Sequence, residues 1–367
     1  MNQDFYLKLI SGQKQGFWAF VLRLLLSVVS VFYWIAVGIR NLLFDQKIIK
    51  QHKEDVPVLS VGNITAGGTG KTPLVIWLCN LLKEKNIRCA VLTRGYKAEN
   101  FESLDGQQAF MDEPAIFEQN CPDVPVIIQS DRIAGAILAV DTYSAKALIM
   151  DDGFQHRKLY RDLDIITIDA MDPFGSGKLL PAGLLREPSG SLRRADIVVM
   201  TRCDKVSKEN LEAIAAEIWQ INPDLPIVKS IHQPVSIIYS NTKIAPPDEL
   251  NGKNVFAFCG IGNPNAFFET LKVLDANLTG CRSFNDHYHY VAEDINKIAQ
   301  TASKSDAKMI LTTEKDWTKI QSLLAAQNLS EIPFAFLKID MKIIDGEEKF
   351  RRLIENALAS KITRSIK

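Results

Sequence analysis

The chain has 367 residues, 47% of them apolar, and its 43 basic and 43 acidic side chains give a formal net charge of zero. This length is enough for two or three domains with sizeable cores, and the charge balance excludes the basic field of a dedicated nucleic-acid binder, so no nucleic-acid partner is predicted. The six cysteines form no Cys-x-x-Cys pair and no zinc-ligand cluster, which predicts reduced thiols in a cytosol-facing protein.

A long apolar segment near the N-terminus predicts contact with a membrane. From Phe17 to Ile39 only Arg23 is charged, and aromatic side chains gather at both ends. As a helix this segment would be about 35 Å long, against about 30 Å for the hydrocarbon core of a bilayer. It is therefore long enough to span a membrane.

Two other interpretations of this segment stay open. One thin polar stripe follows helical spacing along it, so the helix could lie in the membrane surface or pack on the body of the protein. The stripe consists of Arg23, Ser27, Ser30 and Trp34. A buried core helix is the remaining alternative. More lysines and arginines follow the segment than precede it, which favours a body on the cytoplasmic side.

Beyond a polar linker at about residues 46–56, apolar strand-like runs alternate with helical patterns, as in βαβ units on a parallel sheet. The predicted strands are Val58–Val61, Cys89–Thr93, Val126–Ile128, Ala147–Met150, Ile165–Ile168 and Ile197–Met200, with helices at about 70–85 and 208–220. A second α/β pattern follows, with strands at Asn254–Cys259 and Met309–Leu311 and helices at about 265–273, 293–303 and 347–361.

A glycine-rich stretch between the first strand and the first helix predicts a phosphate-binding loop, or P-loop. Its backbone N–H groups and the helix N-terminus can hold the phosphates of ATP, Lys71 adds a positive charge, and the Thr72 hydroxyl can bind Mg²⁺. Thr65 stands where the strict pattern has glycine, so the start of this loop must differ from the commonest form. The candidate nucleotide-binding residues are Thr65, Ala66, Gly67, Gly68, Thr69, Gly70, Lys71 and Thr72.

Two adjacent carboxylates, Asp151 and Asp152, follow the strand predicted at 147–150. Alone, such a pair is equally typical of a turn or a helix N-cap. Downstream of a P-loop, at the carboxyl end of a parallel strand, the pair can reach Mg²⁺ directly or through water. The metal-binding interpretation is therefore favoured.

These features predict an α/β fold, in which a P-loop NTPase-type parallel sheet domain is joined to a second, smaller α/β domain and an N-terminal membrane-associating helix. The expected divisions are a membrane-associating segment at 1–50, the P-loop kinase domain at 51–230, the smaller domain at 231–340 and a C-terminal helix within 341–367.

Further motifs make the sequence more specific than a generic ATPase. In chain order they are Val61–Pro73, Thr93–Tyr96, Asp112–Pro114, Asp151–His156, Pro181–Glu187, Gly260–Pro264, Asp286–His287 and Thr313–Asp316. Together they resemble the tetraacyldisaccharide 4'-kinase family, the lipid A 4'-kinases of Gram-negative envelopes. The resemblance runs in order from the N-terminal helix to about Asp316.

The resemblance implies transfer of the γ-phosphoryl group of ATP, with Mg²⁺, to the 4'-hydroxyl of a tetraacylated glucosamine disaccharide 1-phosphate. The partners would be this lipid A disaccharide precursor and membrane lipid, with no obligate protein partner, at the cytoplasmic face of the inner membrane. The two domains would enclose the active site, and the N-terminal helix would contribute to membrane association.

The same resemblance implies roles for single residues. Asp112 would accept the proton of the sugar hydroxyl, and His287 would pair with it from the second domain, with His289 as a rival for that place. Such a pairing requires the two domains to close on nucleotide binding. In the alternative interpretation Asp112 caps a helix over 113–118, and the histidines are surface residues.

Arg186 and Glu187 resemble the family's Arg-Glu pair, in which the arginine neutralises charge on the transferring phosphoryl group and the glutamate supports Mg²⁺. Otherwise the two residues form an ordinary surface ion pair. Gln155 and His156 could contact nucleotide or metal-bound water, or His156 could be a core histidine. Thr313–Asp316 is typical of a helix capping box.

A competing hypothesis is a membrane-tethered P-loop GTPase or ATPase that acts as a switch or metal-insertion factor. Thr201–Asp204 loosely imitates the Asn/Thr-Lys-x-Asp guanine-reading loop, but Arg202 stands where lysine is expected, which argues against it. A non-catalytic binding module is disfavoured because Lys71, Thr72 and the aspartate pair are all present.

Overall fold

The computed structural model of the chain describes residues 3–94, 112–286, 288–325 and 332–362. The strands are β1 (Val58–Gly62), β2 (Cys89–Thr93), β3 (Val126–Ile128), β4 (Ala147–Asp151), β5 (Leu163–Asp169), β6 (Ile197–Thr201), β7 (Ile227–Tyr239), β8 (Ile244–Ala245), β9 (Asn254–Cys259), β10 (Asn277–Ser283), β11 (Met309–Thr313) and β12 (Phe334–Asp345). The helices are α1 (Gln3–Ile10), α2 (Phe17–Asp45), α3 (Lys71–Glu84), α4 (Asp112–Asn120), α5 (Arg132–Asp141), α6 (Lys208–Ile221), α7 (Pro264–Val273), α8 (Ala292–Lys304), α9 (Glu314–Ala325) and α10 (Glu347–Ile362). Short 3₁₀ turns lie at Gly175–Gly177, Ser189–Arg194, Cys203–Lys205 and Pro247–Leu250.

The described residues form two compact units. The first contains 3–94, 121–231 and 341–362, and the second contains 112–120, 232–286, 288–325 and 332–340. The boundaries fall inside β7 and β12, next to the divisions expected at residues 230 and 340. Helix α4 differs from the expected assignment, because it belongs to the second unit, and the C-terminal helix α10, which the sequence left as a separate division, belongs to the first.

The two helices are assigned by their contacts. The side chain of Asn120, the last residue of α4, donates to Glu314 Oε1 on α9 at 2.9 Å. On α10, Phe350 is fully buried and its ring stacks on that of Trp77 in α3, with ring centroids 5.2 Å apart. Partners distant in the chain, polar for α4 and aromatic for α10, therefore decide where these helices pack.

A parallel sheet organises the first unit. Its strand order is β3-β2-β4-β1-β5-β6-β7, and the β3 to β7 pairings are all parallel. Every residue of β1, β2, β4 and β6 is buried, which is why these strands are continuous apolar runs in the sequence. Because parallel strands end at the same edge, the segments after β1, β4, β5 and β6 meet there.

Helices α5 and α6 cover part of one face of this sheet. Ala136 and Ala139 of α5 pack with the strand residues Val58 and Leu92. Leu211, Ile214 and Ile218 of α6 pack with a neighbouring cluster that includes Ile166 and Phe154. Each helix turns one apolar stripe to the sheet, as expected for an amphipathic helix.

A smaller parallel sheet organises the second unit, with the order β10-β9-β11-β12, and β8 pairs antiparallel with β7. Val255 and Ala257 of β9 pack with α7, whereas Phe256 and Phe258 pack with α8 and α9. Successive side chains of a strand point to opposite faces, so this sheet carries helices on both sides.

Helix α2 is mostly exposed although it is strongly apolar. By length and composition it is the one helix among the described residues that could cross a membrane. Val37 and Phe44 are its buried residues, whereas large side chains such as Trp18 and Phe32 are 75% and 67% exposed. The alternative of a buried core helix is therefore wrong. The polar side of α2 packs on the first unit, where Ser30 Oγ donates to the Leu179 carbonyl at 2.9 Å.

Removing the Phe350 ring should destabilise the first unit. We expect Phe350→Ala to lower the free energy of unfolding by about 3–5 kcal/mol, because a fully buried phenyl group leaves a cavity between α10 and α3. Urea unfolding of the full chain measures the loss. The neighbouring exposed Lys349→Ala is the matched control, and equal stability of the two variants would contradict the packing of α10 on this unit.

Candidate functional site

The glycine-rich loop connects the end of β1 to the first residue of α3. Gly70 precedes α3 with a φ of +84°, and Gly67 has a φ of +132°, both in the region where side-chain-bearing residues are strained. Gly67 and Gly68 are exposed, and no described side chain caps the first turn of α3. The N–H groups of that turn are the ones that a helix N-terminus offers to an anion.

The start of the loop is bonded to the segment before Arg186. Thr65 forms an antiparallel bridge with Leu185, and the Ala66 N–H donates to the Leu184 carbonyl at 2.6 Å. The Thr65 side chain is buried. This pairing accounts for threonine in place of glycine, and it corrects the expectation for Ala66, because an N–H group already bonded to a carbonyl is not offered to a phosphate. The open part of the loop is Gly67–Thr72.

Side chains from the ends of two neighbouring strands hold the middle of the loop. Thr69 Oγ1 lies 2.7 Å from Thr167 Oγ1 on β5, and Thr201 Oγ1 on β6 donates to the Thr69 carbonyl at 2.9 Å. Arg202 donates to the Gly68 carbonyl at 2.9 Å and also pairs with Asp169. This role of Thr201 and Arg202 was not predicted from the sequence, although their position at a strand end beside β5 was a usable signal.

Asp152 joins two cations at this edge. Lys71 Nζ lies 3.3 Å from Asp152 Oδ1, and Arg186 Nη1 lies 2.9 and 2.8 Å from the two carboxylate oxygens. Burial alone would raise the pKa of Asp152, but the positive charges and hydrogen bonds of Lys71 and Arg186 lower it to about 2. The structure therefore brings together three predicted site residues from α3, the end of β4 and the segment after residue 180.

Asp151 and Thr72 lie at the same edge of the sheet. Asp151 is buried, Thr93 Oγ1 donates to its Oδ2 at 3.5 Å, and Arg132 donates to its carbonyl at 3.3 Å. Thr72 is half-buried in the first turn of α3. Within the described ranges no three histidine, cysteine, aspartate or glutamate side chains gather as a metal site.

Glu187 lies in a different cluster from the other predicted metal ligands. It is fully buried and accepts hydrogen bonds from Arg40, Asn41, Ser191 and Arg194, all at 2.9–3.0 Å. Burial alone would raise its pKa, but Arg194, Asn41 and Arg40 lower it. These hydrogen bonds give Glu187 a structural role in this cluster, and its predicted support of Mg²⁺ stays a prediction.

Gln155 and His156 support the fold around the loop. Gln155 Nε2 donates to the Asn63 carbonyl at 2.8 Å. Burial, together with the charge of Arg132, lowers the pKa of His156 to about 4, so its ring is neutral at pH 7. The His156 side chain is half-buried, and its contact with nucleotide or metal-bound water stays a prediction.

The predicted acid–base pair lies largely outside the described residues. Asp112 is the first residue of α4, but its side chain is not among those described, and His287 also lies outside them. His289 is exposed. Both α4 and the segments on either side of His287 belong to the second unit, so the expectation that the pair comes from different domains is wrong, and with it the reason for domain closure.

Thr313 caps α9 as the capping-box pattern predicted, because Thr313 Oγ1 accepts from the Asp316 N–H at 3.1 Å. The Asp316 carboxylate differs from that pattern. It accepts from Thr313 Oγ1 at 2.7 Å, from the Gly260 N–H at 2.9 Å and from the Tyr290 hydroxyl at 3.1 Å. Burial raises the pKa of this carboxyl group.

Comparisons with known proteins agree with this geometry. The family model for tetraacyldisaccharide-1-P 4'-kinase matches residues 22–359. The chain is 38% identical over 349 residues to a tetraacyldisaccharide 4'-kinase from Syntrophus aciditrophicus, covering 90% of this chain and 92% of that relative. It is 36% identical over 341 residues to one from Halothermothrix orenii, covering 86% and 88%.

A solved structure is also similar along nearly the whole chain. The crystal structure of LpxK from Aquifex aeolicus in complex with ATP superposes with a TM-score of 0.70 at 32% sequence identity, covering 92% of this chain and 99% of that one. The phosphate loop, the Lys71–Asp152–Arg186 cluster and these matches lead to one conclusion: the chain belongs to the tetraacyldisaccharide 4'-kinase family.

Proposed function

We propose that this protein transfers the γ-phosphoryl group of ATP to the 4'-hydroxyl of a tetraacyldisaccharide 1-phosphate, a precursor of lipid A. The observation that carries the proposal is the cluster of Lys71, Asp152 and Arg186 beside an open glycine loop at a helix N-terminus. That arrangement suits phosphoryl transfer, and the relatives named above are 4'-kinases.

The two cations have a defined task in this reaction. Negative charge on the transferring phosphoryl group is best stabilised by positive groups that are already in place. Lys71 is the first residue of α3, and Asp152 holds Arg186 beside it. Both positive charges are therefore in place at the loop before ATP binds. When ATP binds, its γ-phosphate would take over part of the pairing with Lys71 and Arg186 that Asp152 provides in the structure.

Mg²⁺ fits the oxygen donors at this edge. The Thr72 hydroxyl and the carboxylates of Asp151 and Asp152 are the hard ligands that this ion prefers, and it commonly takes only one or two of them together with phosphate oxygens. When bound, the ion neutralises charge on the nucleotide phosphates. Glu187 lies in a separate buried cluster, where it accepts hydrogen bonds from Arg40, Asn41, Ser191 and Arg194.

Asp112 and His287 supply the acid–base chemistry in this proposal, as the family resemblance implies. A carboxylate at its ordinary pKa is a weak base, and a histidine that orients it or shares the proton makes removal of the sugar hydroxyl proton more effective. The segments on either side of His287 belong to the same unit as α4, which supports a pairing within that unit.

The acceptor carries four acyl chains and stays in a bilayer, so the active site must work at a membrane surface. The exposed apolar face of α2 supports this location. We place the body of the protein at the cytoplasmic face of the inner membrane, where ATP is available.

Lys71→Ala should reduce phosphoryl transfer by at least ~100-fold, because it removes a charge that acts as the γ-phosphoryl group departs. The assay follows label from γ-³²P ATP into lipid. Lys83→Ala, an exposed lysine in the last turn of the same helix, is the matched control. Label released only as inorganic phosphate by the unaltered protein would favour the switch hypothesis, and a Lys71→Ala protein with normal lipid labelling would refute the P-loop role.

Asp112→Asn and His287→Ala should each lower kcat strongly, and the double variant should be little worse than the less active single one, because residues that act as a unit are non-additive. His289→Ala is the control, since that side chain is exposed. If the effects of the two single variants on kcat multiply in the double variant, the pair is misassigned. The same conclusion follows if His289→Ala lowers kcat and His287→Ala does not.

Polar substitutions on the exposed face of α2 should weaken membrane binding and leave the nucleotide site intact. We expect Trp18→Gln, Leu24→Gln and Leu25→Gln together to move the protein toward the soluble fraction and to raise KM for lipid in vesicles, with KM for ATP unchanged. Glutamine at Ile244, Val273 and Ile344, which are exposed elsewhere, is the matched control. Unchanged partition and unchanged lipid KM would contradict the anchoring role.

A further inference from the structure

The second half of α2 is bound to the segment that carries Arg186. The Tyr33 hydroxyl donates to the main-chain carbonyl of Arg186 at 2.8 Å. One turn before it, Ser30 Oγ donates to the Leu179 carbonyl at 2.9 Å. Both are hydrogen bonds from α2 to a main-chain carbonyl, but only the first reaches a residue of the phosphate site.

A buried charge fixes α2 in this position. Arg40 and Asn41 on α2 contact Glu187 Oε1 and Oε2 at 2.9 Å, and Arg194 contacts Oε2 as well, at 3.0 Å. Glu187 is fully buried, so separating α2 from it would leave a carboxylate without part of its counter-charge, which is costly. Glu187 therefore holds α2 in one position against the segment that carries Arg186.

Arg186 is held at three of its groups. Its N–H donates to the Ile64 carbonyl at 2.7 Å, its guanidinium binds Asp152, and its carbonyl accepts from Tyr33. The first two contacts come from the β1–loop segment and from the end of β4. The third comes from the helix whose other face is exposed and apolar.

We propose that Tyr33 is a positioning residue for Arg186, so that α2, held by Arg40 and Glu187, is a structural part of the phosphate site as well as the anchor. The inference rests on the role of Arg186 in the proposed function. Because a small displacement of a positioned charge lowers the rate of the chemical step, loss of the Tyr33 hydroxyl acts on kcat. Burial raises the pKa of Tyr33, so its hydroxyl stays a donor at neutral pH.

The test compares Tyr33→Phe with Ser30→Ala. Each variant removes one hydroxyl of α2 that bonds a main-chain carbonyl, and only Tyr33→Phe frees Arg186. We expect Tyr33→Phe to lower kcat by about 3- to 10-fold, the change that one net hydrogen bond corresponds to, with both KM values and membrane partition unchanged. Ser30→Ala should leave kcat unchanged. Equal effects of the two variants would overturn the inference.

A double variant separates this inference from the proposed function. If Tyr33 acts through Arg186, Tyr33→Phe should have no further effect on kcat in an Arg186→Ala background. If the effects of Tyr33→Phe and Arg186→Ala on kcat multiply fully, the positioning role is wrong and the proposed function is unaffected. A normal kcat for Arg186→Ala would instead refute the role of Arg186, and the positioning role would fall with it.

The Arg40 contact gives an independent variant that tests the charge. Arg40→Met keeps most of the side-chain volume and removes the positive group beside Glu187, whereas Arg40→Lys retains it. We expect Arg40→Met to lower kcat and Arg40→Lys to restore most of it, with thermal unfolding recorded for both. Equal kcat values for the methionine and lysine variants would contradict a charge-based attachment of α2 to the site.

Discussion

The phosphate site depends on one shared carboxylate. Lys71 and Arg186 carry like charges that repel each other, and Asp152 lies between them within hydrogen-bond or ion-pair distance of both. Because the pKa of Asp152 is about 2, it is ionised at all physiological pH values, and the pair of cations is stable before any phosphate arrives. Arg186 comes 34 residues after Asp152, so this contact also brings the 181–187 segment to the end of β4.

The remaining contacts of the site support that arrangement. Thr167 and Thr201 fix the loop from β5 and β6, and Leu184 and Leu185 pair with its start. The parallel sheet makes this arrangement possible, because β1, β4, β5 and β6 end at the same edge and bring residues to one small region. The strand order therefore determines where the candidate site lies, and the individual side chains determine its chemistry.

Much of the fold could be predicted from the sequence, because its central strands are buried on both faces. β2, β3 and β9 occupy the residues that their apolar runs predicted, and α3 differs from the prediction by one residue at each end. β10 was missed because its sequence is polar and most of it is only partly buried. Helix α4 was placed in the wrong unit because its contact with α9 joins residues 194 positions apart.

The candidate site could be predicted only where its chemistry is local in the chain. The loop, Lys71 and the aspartate pair have a recognisable spacing, and the motif containing Arg186 could be found by resemblance. The function of Glu187 could not be predicted, because its partner Arg40 is 147 residues away and no local pattern joins them. In the sequence, Arg202 was compared with the lysine of a guanine-reading loop. In the structure, its guanidinium donates to the Gly68 carbonyl of the phosphate loop. The roles of Asp112 and His287 stay predictions.

The attachment of α2 has a consequence for the order of events during synthesis. Its contacts with Leu179, Arg186 and Glu187 join residues 146–153 positions apart, and chains fold from the N-terminus as they leave the ribosome. The apolar face of α2 is complete once the chain has emerged as far as Asp45, whereas its hydrogen bonds to Leu179, Arg186 and Glu187 cannot form until those residues have been made. If α2 anchors the protein as proposed, a nascent chain can reach a bilayer before the residues of its phosphate loop, Asp152 and Arg186 have come together.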